Sequence, residues 1–92
     1  MNILKVMVKF YPKKRSSFPS LHYAYRPHFV VNKDSEMLGV EFIESDLVEF
    51  NVFGEAIVKL LYDNVGYHKL QKGVTFNIVE GGATTVGEGY VL

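Results

Sequence analysis

The stretch that decides the fold is Val74-Thr75-Phe76-Asn77-Ile78-Val79-Glu80-Gly81-Gly82, followed by Ala83-Thr84-Thr85-Val86-Gly87-Glu88-Gly89-Tyr90-Val91-Leu92. Two short apolar runs rich in β-branched residues are hinged on a glycine pair, which is the pattern of a hairpin. Gly81 and Gly82 supply the positive φ that a tight turn needs. Gly87 and Gly89 fall on one face of the returning strand, where a missing side chain lets another backbone or a ligand come close. A strand built this way predicts a small closed barrel.

The rest of the chain agrees with that prediction. From Ile3 to Tyr11, Leu4, Val6, Val8 and Phe10 alternate with Lys5, Met7 and Lys9, a period of two that marks a half-buried strand. Pro12 ends it, because proline cannot donate to a ladder. Lys13 to Leu21 reads as a polar loop. Extended structure resumes over His22 to Val31, where Pro27 holds Arg26 out of the helical region and suggests an edge or a bulge. Asn32 to Glu36 reads as a turn, Met37 to Ile43 as a strand, Glu44 to Asp46 as a turn and Leu47 to Val52 as a further strand. Glu55 to Tyr62 contains helix-favouring Ala, Leu and Lys, yet its eight residues between turn signals and its Ile, Val and Tyr make it a strand. Asp63-Asn64-Val65-Gly66 turns again, and His68 to Gly73 leads into the final hairpin. About six strands with no long linker imply an all-β, six-stranded antiparallel barrel spanning residues 1–92 as one domain.

Composition narrows the function classes. With 48% hydrophobic residues the chain is globular rather than disordered, and no apolar run approaches the roughly 20 residues of a membrane-spanning helix. There is no cysteine, hence no disulfide framework and no thiolate metal ligand. The first residues lack a secretory pattern, so a cytoplasmic location is expected. Ten basic and ten acidic side chains give no net charge, whereas a DNA- or RNA-binding domain is usually basic overall. The distribution is uneven, with Lys9, Lys13, Lys14, Arg15 and Arg26 in the first third and Glu36, Glu41, Glu44, Asp46 and Glu49 in the middle.

No catalytic set stands out. His22 and His28 share a strand face but lie about 20 Å apart when extended, too far to ligate one metal, and His68 belongs to another segment. Glu44, Asp46 and Glu49 flank a turn, where acids are solvated, and no serine sits in a nucleophile elbow. No enzyme activity, cofactor or metal is expected. Arg26 is the residue to single out: stiffened by Pro27 and flanked by Tyr23 and Tyr25, it is presented either to a phosphate or carboxylate or, alternatively, to a barrel acid such as Glu80. Six tyrosines and seven phenylalanines are many for so small a core. Tyr11, Phe18, Tyr23, Tyr62 and Tyr67 fall near strand ends, where they either form an interface or roof the barrel.

Two blocks of the chain carry a resemblance. Tyr25-Arg26-Pro27-His28-Phe29 and Phe76-Asn77-Ile78-Val79-Glu80-Gly81-Gly82, the latter continued by Thr85-Val86-Gly87-Glu88-Gly89, resemble the third, C-terminal β-barrel domain of bacterial elongation factor Tu. The matching family strings are Gly-Tyr-Arg-Pro-Gln-Phe and Phe-Ala-Ile-Arg-Glu-Gly-Gly-Arg-Thr-Val-Gly-Ala-Gly, in the same order and at similar spacing. The resemblance implies a six-stranded barrel that works by binding, since the family's GTPase chemistry resides in a separate domain. No Gly-x-x-x-x-Gly-Lys-Ser/Thr phosphate loop occurs in this chain. In the family this barrel contacts the backbone of the tRNA T-stem and packs on neighbouring domains, which implies a surface of Tyr25, Arg26, Pro27, Gly81, Gly82 and Thr85. This sequence departs by placing Ala83 and an extra Thr84 where the family has an arginine, and His28 where it has glutamine. The first expectation is therefore a protein-interaction module. The alternative is RNA binding through Lys13, Lys14, Arg15 and Arg26; neither a DNA nor a membrane partner is expected.

Overall fold

The computed structural model describes residues 2–12, 24–31, 36–46, 49–62, 66–81 and 84–92. The described residues form six strands, β1 (Ile3–Phe10), β2 (His28–Val31), β3 (Leu38–Ser45), β4 (Gly54–Leu60), β5 (Thr75–Glu80) and β6 (Thr84–Val91), and a 3-10 turn at Tyr67–Lys69. All pairings are antiparallel, and the order β1-β4-β3-β2-β5-β6 closes on itself to form a barrel. The all-β closed barrel read from the sequence is the observed fold. Among the described residues no helix is long and apolar enough to cross a membrane.

Alternation sends one face of each strand inward. Val6, Val8 and Phe10 of β1, Leu38, Val40 and Phe42 of β3, Ala56 and Val58 of β4 and Phe76 and Ile78 of β5 are buried together with Phe29. Among the described residues, Phe10, Phe29, Phe42 and Phe76 fill the interior. Phe29 stacks on Phe76 with centroids 3.9 Å apart and meets Phe42 edge-on at 6.2 Å. Phe42 in turn contacts Phe10 and Tyr25. Ring contacts of this kind add about 0.5–1.5 kcal/mol each beyond the area they bury.

The two glycines of β6 are what allow this filling. A side chain on Gly89 would collide with the Met7 carbonyl oxygen and sit 2.8 Å from Phe76 Cζ. One on Gly87 would strike the Lys9 carbonyl oxygen and lie 3.2 Å from Phe10 Cα. The close approach foreseen for these glycines is thus to backbone and core ring, on the seam where β6 meets β1.

Three boundaries differ from the sequence reading. Glu49 to Val52 is a turn rather than part of a strand, and Leu47 and Val48 lie outside the described residues. The reason is Asn51: it adopts φ 61°, a conformation asparagine tolerates, and its N–H donates to the Phe10 carbonyl at 2.9 Å. The segment therefore crosses the barrel mouth and caps β1. β2 begins only at His28, because Ala24 at φ 54° interrupts the extended chain, although the Tyr25 and Pro27 carbonyls still accept from Phe42 and Val40 of β3. β3 runs through the expected turn to Ser45, absorbing a bulge between Phe42 and Glu44. His22 and Tyr23 lie outside the described residues.

The 3-10 turn is tied to the barrel end. The Tyr67 hydroxyl donates to the Gly39 carbonyl and accepts from the Leu61 and Tyr62 N–H groups at 3.1 and 3.2 Å. Glu36 accepts from the Gly66 N–H at 2.9 Å and from Lys69 Nζ at 2.8 Å. Tyr67 is thus a roofing residue rather than an exposed one.

The glycine constraint is directly testable. Gly89→Ala is expected to destabilise the barrel by about 1–3 kcal/mol through overpacking against Phe76 and β1. Gly81→Ala, where φ is +62° and nothing lies within 4 Å, is expected to cost about 1 kcal/mol through backbone strain alone. Urea unfolding midpoints order the two, and a Gly89→Ala barrel as stable as the parent would refute the close-approach argument.

Candidate functional site

Pro27 organises the region that the sequence singled out. Its fixed φ and missing N–H keep the chain from Tyr25 to His28 extended against β3, so that successive side chains take opposite directions. Tyr25 turns inward and packs on Phe42 and Phe10. Arg26 turns outward, its side chain 60% exposed. On the neighbouring strand the β5 end contributes Val79 and Glu80, and Gly81 follows at positive φ. Tyr25, Arg26, Pro27, His28, Val79, Glu80 and Gly81 together line a cleft of about 290 Å³. Four residues proposed from sequence, Tyr25, Arg26, Pro27 and Gly81, thus meet in one place. Thr85 is registered opposite Val79 on β6, one strand beyond the cleft. Lys13, Lys14, Arg15, Tyr23 and Gly82 lie outside the described residues, as does Phe18.

Arg26 pairs with a barrel acid, but that acid is Glu41 of β3 rather than Glu80. Arg26 Nε donates to Glu41 Oε1 at 3.1 Å, whereas Glu80 Oε2 accepts from the Tyr25 hydroxyl at 2.5 Å. Direction along the strand explains the exchange: the outward Arg26 meets the outward acid of β3, and the inward-leaning Tyr25 reaches the acid at the end of β5. An exposed pair such as Arg26–Glu41 contributes at most about 1 kcal/mol to stability. Its geometric effect is larger, because it anchors Nε and leaves both terminal nitrogens without a partner among the described residues.

His28 borders the same cleft. Its Nδ1 is buried and has no hydrogen-bond partner among the described residues. His28 is registered opposite Gly39 on one side and Val79 on the other. The Tyr62 ring lies over Gly39, where a side chain would collide with it, and Tyr62 is 56% exposed. A row of cross-strand neighbours therefore runs from the exposed Tyr62 past His28 to Val79, which is itself buried. Glu44, Asp46 and Glu49 are exposed. No group of three or more His, Asp or Glu among the described residues is placed to hold a metal.

A second cluster escaped the sequence reading. Phe53 and Tyr90, 39% and 36% exposed, meet edge to face with centroids 5.6 Å apart, and Lys9 Nζ sits 4.8 Å over the Phe53 ring. Their outward parity with Lys9 was the available signal for Tyr90; Phe53 precedes β4 and had none. Beside them the Tyr11 hydroxyl donates to Glu88 Oε1 at 2.6 Å. Burial, the hydrogen bond and the negative charge of Glu88 all favour the neutral phenol and push its pKa up to about 12.

No family model, curated protein or solved structure matches this chain.

The Tyr11 shift predicts a pH dependence with a definite sign. The folded pKa lies above the ordinary value of 10, so the stabilisation is complete below pH 10 and is lost as pH rises from 10 towards 12. The stability difference between the parent and Tyr11→Phe is expected to stay constant up to pH 10 and then to decline. An ultraviolet titration in which the tyrosine removed by Tyr11→Phe ionises near pH 10 would contradict the bond to Glu88.

Proposed function

We propose that this barrel is a non-catalytic binding module that docks a protein partner on the β2–β5 cleft, with Arg26 as its polar anchor and Tyr62 as its exposed aromatic. The observation that carries the reading is the convergence of Tyr25, Arg26, Pro27 and Gly81 on one cleft, with the Arg26 guanidinium oriented by Glu41 through Nε alone. Arginine and tyrosine at the edge of a preformed pocket are the residue types that dominate protein interfaces. Glu41 holds the guanidinium in place before any partner arrives, which lowers the ordering cost on binding.

The resemblance to the third domain of elongation factor Tu supports a binding role, because that barrel itself acts through contacts with RNA and with neighbouring domains. Neutral net charge favours protein over nucleic acid in this case. Within the cleft the positive charge of Arg26 is balanced by Glu41, and Glu80 adds a negative one, which opposes a polyanionic backbone.

The test is capture from lysate with and without nuclease, followed by reconstitution with the purified partner. Capture is expected to survive nuclease. Arg26→Ala and Tyr62→Ala are each expected to weaken the reconstituted complex by about tenfold. Salt should change the affinity little. Capture abolished by nuclease, with affinity falling steeply as salt rises, would replace this reading with RNA binding through Arg26 and the Lys13–Arg15 segment. Unchanged affinity in both variants would remove the cleft as the site.

A further inference from the structure

β4 ends at Leu60, so Tyr62, the exposed aromatic of the docking site, stands past the last residue of the strand. An aromatic side chain at such a chain end would ordinarily reorient freely, since no sheet pairing fixes the backbone that carries it. Here a single atom fixes it. The Tyr67 hydroxyl accepts from the Tyr62 N–H at 3.2 Å and from the Leu61 N–H at 3.1 Å, and it donates to the Gly39 carbonyl. A hydroxyl has one proton and two lone pairs, so these three bonds use its full capacity. They join the chain that carries Tyr62 to the strand on which its ring rests.

Glycine at position 39 leaves room for that ring. A Cβ there would collide with Tyr62 Cε2 and stand 3.0 Å from Cδ2. The ring therefore lies against the Gly39 backbone, and His28, which lines the cleft, is registered opposite Gly39 on β2. The hydroxyl is itself held from the far side of the 3-10 turn. Glu36 binds the Gly66 N–H before that turn and Lys69 Nζ at its end, and the next residue, Leu70, is buried in the core. The Leu61 N–H also reaches the Gly39 carbonyl at 3.3 Å, so loss of the hydroxyl alone leaves a direct bond between β3 and the end of β4.

We propose that Tyr67 is a positioning residue of the docking site: its hydroxyl holds the Tyr62 ring on Gly39, beside His28, in the pose that a protein partner meets. This role rests on the docking reading above, whereas the geometry is already present in the free protein. An exposed aromatic ordered beforehand supplies its contact area without the entropy cost of ordering it on binding.

The experiment is NMR on the full chain with labelled aromatic side chains, comparing the parent with Tyr67→Phe, which removes the hydroxyl and keeps the ring. Nuclear Overhauser contacts between the Tyr62 ring and the Gly39 α-protons are expected in the parent and are expected to be lost in Tyr67→Phe. The contact between the Phe29 and Phe76 rings should persist in both, which verifies the fold. With the purified partner of the capture experiment, Tyr67→Phe is expected to weaken the complex about fivefold in the parent but less than about twofold in a Tyr62→Ala background, since its effect passes through that ring. The proposal is overturned if the Tyr62 ring keeps its Gly39 contacts in Tyr67→Phe, or if Tyr67→Phe weakens the complex equally in both backgrounds. The parent spectrum alone overturns it, whether or not the variant folds, if the Tyr62–Gly39 contacts are absent. If Tyr62→Ala binds like the parent while the ring contacts depend on Tyr67, the docking reading fails at Tyr62 and takes the positioning role with it; a Tyr62→Ala loss without a Tyr67→Phe loss sinks the positioning role alone.

Discussion

Closure of the barrel depends on the absence of a side chain at Gly89. The Phe76 ring occupies the volume that a side chain there would fill, and the Met7 carbonyl of β1 approaches from the other side. Because the edge of the Phe76 ring can come up to that backbone, Phe76 stacks on Phe29, Phe29 meets Phe42, and Phe42 contacts Phe10 and Tyr25. One missing side chain therefore couples the β1–β6 seam to the aromatic column that fills the axis. The column then reaches the cleft through Tyr25, whose hydroxyl meets Glu80. A six-stranded barrel has an interior that side chains must fill, and here that filling also positions a surface residue.

Much of this was legible because β-structure writes its two faces into alternate positions. Val6, Val8 and Phe10 could be assigned inward from spacing alone, and so could the close approach at Gly87 and Gly89. The sequence was silent where a single backbone angle decides the path. Ala24 and Asn51 adopt positive φ, and neither residue type announces this as glycine does. Asn51 turned an apparent strand into a cap over β1, and the bulge after Phe42 carried β3 through an apparent turn. Local pattern cannot report these, because they are set by which distant carbonyl or strand needs a partner.

The candidate site divides along the same line. That Arg26 faces outward follows from Pro27 and from alternation. That it pairs with Glu41 and not Glu80 follows from register between strands, which depends on the whole barrel. The aromatic surplus likewise split into two roles. Tyr25 and Tyr67 close barrel ends by hydrogen bonding, while Tyr62, Phe53 and Tyr90 stay exposed.

The Tyr67 hydroxyl has a dynamic consequence. Beyond the end of β4, the Tyr62 amide is bonded to that hydroxyl rather than to a neighbouring strand. Its exchange with solvent deuterium is then governed by undocking of the 3-10 turn, which the Glu36 contacts to Gly66 and Lys69 hold in place. Release of that turn frees the Tyr62 amide, while the Gly39 carbonyl keeps the Leu61 N–H and the ladders of β1, β4 and β6 stay closed. The barrel end beside Tyr62 thus forms a separate opening unit, with a lower free energy of exposure than the barrel it roofs.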